Sequence, residues 1–149
     1  MIDKTNSTLS DKLNIQMVTW ASHQPQLRAV RTPVFIEEQA VTPEFEWDDL
    51  DATAVHLLTT FNNRPIACLR IINYYKIGRM AVLRQYRGNG LGAALLLEAV
   101  SICKQHGGKT VYLSAQTHAI SFYQKAGFKV TSAEYCDVDI THVDMLLEI

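Results

Sequence analysis

Met80-Ala-Val-Leu-Arg-Gln-Tyr-Arg-Gly-Asn-Gly-Leu-Gly-Ala-Ala-Leu95 constrains the fold more than any other stretch of this chain. It reads as the end of an apolar strand, then a basic, glycine-rich turn, then a helix that begins near Gly90. Glycines at 88, 90 and 92 allow positive φ and let the backbone approach a ligand with no Cβ in the way. Free N–H groups at the helix start, with roughly half a positive charge from the helix dipole, form an anion site. Arg84 and Arg87 add formal charge beside it. The turn is therefore predicted to hold phosphate, as a diphosphate.

Gly88-x-Gly90-x-x-Ala93 also satisfies the dinucleotide-binding fingerprint in form. That fingerprint needs its glycines directly after a first strand and an acidic residue about 20 positions on, to hold a ribose. Here Leu83 to Arg87 separate the strand from Gly88, and Thr110-Val-Tyr-Leu-Ser-Ala-Gln-Thr117 supplies no carboxylate. The turn also lies mid-chain. The dinucleotide reading fails on context.

Arg87-x-x-Gly90-x-Gly92 after a strand ending in Ala-Val resembles the acetyl-CoA loop of the GNAT acetyltransferase superfamily. Ala119-Ile-Ser-Phe-Tyr-Gln-Lys-Ala-Gly-Phe128 is similar to that superfamily's second motif, a short helix ending in Gly-Phe. Val30-Arg-Thr-Pro-Val-Phe-Ile-Glu-Glu-Gln39, then Glu46-Trp-Asp-Asp-Leu-Asp51 and His56, resembles its ElaA-like branch. The tail Asp139 to Met145 matches that branch more loosely. The resemblance runs from about residue 13 to the C-terminus.

The resemblance implies a single α/β domain over 13–149, with a mixed, mostly antiparallel central sheet flanked by helices. It implies acetyl-CoA as co-substrate and no metal. The backbone of Met80, Ala81 and Val82 would hold the pantetheine arm, and Arg87, Gly88, Asn89, Gly90, Leu91, Gly92 and Ala93 the diphosphate. Gln116 stands where many relatives carry Asn against the CoA arm. Tyr123 falls where the family places a hydroxyl near the thioester sulfur; a phenol of pKa about 10 is a reasonable acid for a departing thiolate. For the base that deprotonates the amine, Glu38, Glu46, Asp48, His56 and His118 are open alternatives, with Glu38 and His56 placed foremost. His142 is read as bracing the C-terminal strand.

Charge distribution bears on the acceptor. Net charge is −1, which argues against a general nucleic-acid binder. Thr32 through Asn63 carries no Lys or Arg but holds Glu37, Glu38, Glu44, Glu46, Asp48, Asp49 and Asp51. Lys76 through Arg87 reverses the sign. A basic segment around a phosphate loop and an acidic one elsewhere suit an anionic donor and a cationic amine, with Glu46 and Asp48 as substrate-binding residues. The acceptor is expected to be a small-molecule or peptide amine.

At 149 residues the chain is long enough for one domain with a real core. No apolar run approaches the roughly 18 residues of a membrane span, so no membrane partner is expected. The N-terminus lacks a signal-peptide core, and a cytoplasmic location is expected. Cys68, Cys103 and Cys136 fit reduced, buried thiols better than a disulfide framework or a metal site.

Residues 1–12 read as a loose polar segment. Strands are predicted over 15–20, 54–61, 66–73, 76–82 and 111–115, with a tight turn at Asn62-Asn63. Lys129 onward and 144–148 finish the sheet. Helices are predicted over 26–39, interrupted at Pro33, over 91–106, closed by Gly107-Gly108, and over 119–126. Residues 40–53 read as an acidic loop. An unpaired C-terminal strand would support a homodimer. Two functions of different class stand: an N-acetyltransferase working by direct attack in a ternary complex, and a non-catalytic acyl-CoA sensor or interaction module that lacks a working base.

Overall fold

The computed structural model describes residues 12–149; apart from Lys12, the expected loose N-terminal segment lies outside the described residues. The strands are β1 (Leu13–Val18), β2 (Val55–Phe61), β3 (Arg64–Ile72), β4 (Lys76–Val82), β5 (Thr110–Gln116), β6 (Lys129–Val130), β7 (Tyr135–Asp137) and β8 (Ile140–Glu148). They form one sheet in the order β1-β2-β3-β4-β5-β8-β6, with β7 also on β8. Only β4 and β5 run parallel. The sheet is thus mixed and mostly antiparallel, as expected.

Local chemistry explains the hairpin between β2 and β3. Asn62 and Asn63 both take positive φ, 53° and 66°. A two-residue hairpin loop needs that pair of left-handed residues, and Asn tolerates it. Leu57 and Leu58 then fall on opposite faces, each into a different apolar cluster. One cluster lies under helix α3 (Leu91–Gln105), where Leu95, Ala99 and Ile102 meet Leu69, Val111, Leu113 and Met145. The other lies under helix α1 (Trp20–Arg31), where Leu27 and Val30 meet Leu58, Cys68 and Ala81. Because both faces are covered, β3 reads as a nearly continuous apolar run rather than an alternating one.

Several expectations need correction. The first helix starts at Trp20, where Thr19 and Ser22 form a capping box. It passes a kink at His23 beside Pro25. After Arg31 it loosens into a π-helical turn over Thr32–Glu38, where Pro33 has no N–H to give to the preceding turn of the continuous helix. Of the glycines in the turn, Gly88 (φ 81°) and Gly90 (φ 77°) are left-handed, but Gly92 is helical. A Cβ at Gly92 would come within 3.4 Å of the Phe122 ring, so its role is close approach of α3 to helix α4 (Ile120–Lys125). Cys68 and Cys103 are buried, but Cys136 is exposed on the narrow β7. β8 is not an unpaired strand: β5 takes one edge, and β6 and β7 share the other. The premise of an unpaired C-terminal strand therefore does not hold.

The segment expected to be an acidic loop contains two helical turns, α2 (Pro43–Glu46) and a 3₁₀ turn over Asp49–Ala52. Arg31, 1% exposed, pins it. Its Nε donates to Glu46 Oε2 at 2.7 Å and its Nη1 to Asp51 Oδ1 at 2.8 Å. Trp20 and Trp47 flank the guanidinium, 5.5 and 4.9 Å from its carbon to the ring centres. Burial opposes the cation, but the hydrogen bonds and charges of Asp51 and Glu46 outweigh it and raise the Arg31 pKa. Arg31→Ala would leave two carboxylates buried without this counter-ion, so unfolding free energy should fall by about 3–5 kcal/mol. Denaturant titration measures this; a loss below about 1 kcal/mol would show that the network does not hold the segment.

Candidate active site

β4 and β5 pair only at Lys76↔Tyr112 and Ile77↔Leu113. Beyond those pairs β4 stays with β3 as far as Ala67↔Val82, while β5 stays with β8 as far as Gln116↔His142. A bulge marks the divergence: Arg79 and Met80 together oppose Leu69, and Arg79 takes φ 48°. The β5-facing edge of Met80, Ala81 and Val82 therefore has no strand partner. A cleft of about 980 Å³ opens there, lined by these residues, the turn at 87–93 and the start of α3 on one side. Gln39, Phe45, Gln116, His118 and His142 also line it.

The turn is built to receive an anion. Gly90 caps α3 with no side-chain hydrogen bond, so the first-turn N–H groups of Leu91, Gly92 and Ala93 keep no intrahelical partner. Asn89 Nδ2 donates to the Tyr86 carbonyl at 3.0 Å and braces the turn. Arg87 Nε donates to the Val82 carbonyl at 2.9 Å. Arg84 and Arg87 share one carboxylate, so one net positive charge remains at the turn rather than the two that the sequence suggests. Both reach Glu38, at 2.8 Å (Arg84 Nη2 to Oε2) and 2.6 Å (Arg87 Nη2 to Oε1).

Those contacts correct the reading of Glu38 as a base. The hydrogen bonds from Arg87 and Arg84 lower its pKa, and a carboxylate held in that way is a poor proton acceptor. His56 is also corrected. It is 1% exposed on β2 and does not line the cleft. Its Nε2 donates to the Asp51 carbonyl at 3.0 Å, its ring packs on Trp20, and burial lowers its pKa. It braces the Arg31 network.

Glu46 and Asp48 do not present an unpaired negative surface to a substrate. Glu46 is buried against Arg31 and also reaches Arg79 Nε at 3.2 Å. Asp48 lies 2.8 Å from Arg70 Nη1 and 3.1 Å from Arg79 Nη2. The guanidiniums of Arg31, Arg70 and Arg79 thus match the carboxylates of Glu46, Asp48 and Asp51. The sequence reading missed these counter-charges because they come from α1, β3 and β4, outside the acidic segment itself.

Tyr123 lines the cleft from α4, beneath Phe122 and Phe128. Burial alone, with no hydrogen bond contributing, pushes its pKa up to about 12. Gln116 Nε2 donates to Gln39 Oε1 at 2.8 Å and its Oε1 lies 2.6 Å from His118 Nε2. The amide thus joins the end of β5 to the π-helical turn. His142 lies opposite Gln116 and also lines the cleft, a placement that sequence spacing had no means to show. No group of three or more His, Cys, Asp or Glu arranged for a metal occurs among the described residues. No helix among them is long and apolar enough to cross a membrane.

Comparison with known proteins agrees with this geometry. Residues 23–149 match the family model described as acetyltransferase (GNAT) domain. YjcF of Bacillus subtilis, described as an uncharacterized N-acetyltransferase, is 32% identical over 133 residues, 85% of this chain and 95% of that protein. ElaA of Escherichia coli is 32% identical over 131 residues, 83% of this chain and 86% of that protein. Its crystal structure superposes with a TM-score of 0.82 at 30% identity, covering 91% of this chain and 99% of that one. PaiA N-acetyltransferase from Thermoplasma acidophilum, solved in complex with coenzyme A, shares the fold at 19% identity with a TM-score of 0.67, covering 92% of this chain and 99% of that one. The splayed strands, the left-handed glycine turn and these matches lead to one assignment: the chain belongs to the GNAT acetyltransferase family, in its ElaA-like branch.

Proposed function

We propose that this protein is an N-acetyltransferase that moves the acetyl group of acetyl-CoA to a primary amine of a small molecule or peptide, by direct attack in a ternary complex. The observation that carries the reading is the parting of β4 from β5 beside an uncapped helix start. The gap leaves backbone groups on the β5-facing edge of β4 at Met80 to Val82, apart from the Val82 carbonyl that Arg87 holds, for an amide-bearing arm, and the turn at 87–93 accepts a diphosphate. Coenzyme A carries both. The fold neighbour solved with coenzyme A supports the same donor. The reading places the protein in the cytoplasm, where that donor is made and used.

In this reading the amine nitrogen attacks the thioester carbonyl, the N–C bond forms, and the C–S bond breaks. The departing thiolate takes a proton from the Tyr123 hydroxyl. A phenol ionising at about 12 keeps its proton through the working range, as a general acid must. With Glu46, Asp48 and Asp51 neutralised, acceptor choice rests on the shape and hydrogen bonding of the cleft more than on a long-range field.

Calorimetry with acetyl-CoA, and thiol release with a panel of primary amines, test the proposal. Binding without release for any amine would favour the sensor. Gly90→Asp puts a side chain at φ 77° and a negative charge where a phosphate approaches, so acetyl-CoA affinity should fall tenfold or more. Unchanged affinity in a folded variant would end the coenzyme A assignment.

Tyr123→Phe removes one oxygen and should spare fold and donor affinity, while kcat drops by about 10²–10⁴. Because the phenol ionises at about 12, it should produce no alkaline limb in the wild-type pH profile below about pH 11. A fall of less than about threefold, with chemistry limiting the rate, would show that Tyr123 only packs.

A further inference from the structure

Acyl transfer to an amine needs a group that takes the proton from nitrogen as the N–C bond forms. Among the titratable side chains lining the cleft, Glu38 is held by Arg84 and Arg87, and Glu46 by Arg31 and Arg79. Asp137 is exposed at the end of β7, and no hydrogen bond among the described residues positions its carboxylate. Two imidazoles are left, His118 and His142.

They differ in how they are held. His118 is exposed, and its Nε2 is engaged with Gln116 Oε1 at 2.6 Å. His142 is 7% exposed on β8, directly across from Gln116. Its Nδ1 lies 2.7 Å from the Ile140 carbonyl oxygen. A carbonyl oxygen only accepts, so Nδ1 carries the proton and the lone pair is on Nε2. The ring's hydrogen bond among the described residues is made through Nδ1 and not Nε2, and the side chain lines the cleft. Tyr135 stacks on the ring at 6.0 Å with 20° between planes, and its hydroxyl donates to Asp144 at 2.6 Å. Ring plane and tautomer are both set before any substrate arrives, as a positioned base requires.

We infer that His142 is the catalytic base: its Nε2 accepts the proton of the attacking amine as that nitrogen bonds to the thioester carbonyl carbon. The inference rests on reading the cleft as an acyl-transfer site. The C–S electron pair leaves on sulfur, which takes the Tyr123 proton; imidazolium and phenolate then return to rest by proton exchange through solvent. Net, one amine and one thioester give one amide and one thiol. The charged and titratable groups around the imidazole are Tyr135 stacked on it, Asp144 two residues along β8, and Asp137 and His118 on the cleft wall.

His142→Asn keeps an N–H where Nδ1 donates to Ile140 and removes the basic nitrogen, together with the ring that stacks on Tyr135. The assay uses acetyl-CoA with 2-phenylethylamine, 1,4-diaminobutane and the α-amine of a tripeptide. The variant should bind acetyl-CoA within about twofold of wild type, while kcat falls by about 10²–10⁴. Its kcat/KM should climb about tenfold per pH unit, set by the supply of neutral amine alone, and the additional acid limb that the wild type owes to protonation of its base should be gone. A structural role would lower stability without moving that limb.

Nitrogen-15 NMR of the wild-type imidazoles tests the same assignment without a variant or an acceptor: His142 should be the Nδ1–H tautomer. An Nε2–H tautomer, a variant within threefold of wild-type kcat, or loss of the acid limb in His118→Asn instead, would each overturn the assignment. A wild type that binds no acetyl-CoA would overturn the transferase reading itself. An active wild type with an unaffected His142→Asn would overturn only the base.

Discussion

The buried guanidinium of Arg31 between Glu46 and Asp51 holds together parts of the chain that have no other reason to meet. It sits at the end of α1, while its partners lie on the two helical turns that follow. Arg70 on β3 and Arg79 on β4 extend the network, through Asp48 and Asp51 and through Glu46 and Asp48 respectively. Arg79 Nη2 also reaches the Phe45 and Glu46 carbonyls at 3.2 and 3.0 Å. Because Arg79 is the left-handed bulge residue of β4, the same network ties the cleft wall to the point where the sheet opens. Desolvation makes such buried pairs weak sources of net stability, but removing one member strands the others. Their effect here is to place the segment from Pro43 to Ala52 in one position.

That placement changes the electrostatics of the cleft. Charges that look like a negative patch in one dimension are internal counter-ions in three. The same holds in part for the basic turn, where Arg84 and Arg87 share the single carboxylate of Glu38 and keep one net positive charge. Beside that charge, what is open toward an anionic donor is the backbone: the start of α3 and the unpaired edge of β4. Backbone dipoles are fixed by the fold and need no reorganisation on binding, which suits a site that must recognise a diphosphate and an amide-bearing arm.

The family, the strand–turn–helix at 80–95 and most element positions were legible in the sequence because they are local. A period of two marks β1, with Leu13, Ile15 and Met17 alternating with polar Asn14 and Gln16, and Asn-Asn gives the turn after β2. Glycine alone suits φ near 80° at 88 and 90, and apolar spacing marks α3. β4 runs over the expected residues, Lys76–Val82. The start of α1 was less legible, since the alternation over 15–20 reads as strand through Trp20, where the Thr19–Ser22 capping box in fact starts the helix.

What tertiary structure alone decided is which polar groups share a partner. Glu38, Glu46, Asp48 and His56 read as chemistry because nothing in the sequence shows Arg84, Arg31, Arg70 or Trp20 beside them. His142 read as a brace because only the antiparallel register of β5 and β8 sets it across from Gln116, and only its bond to Ile140 selects the tautomer. The physical reason is range. Dihedral preference and periodic burial act over a few residues and are written in order along the chain. Ion pairing and proton position depend on contacts of a few ångströms between segments distant in sequence, and those exist only after the chain has folded.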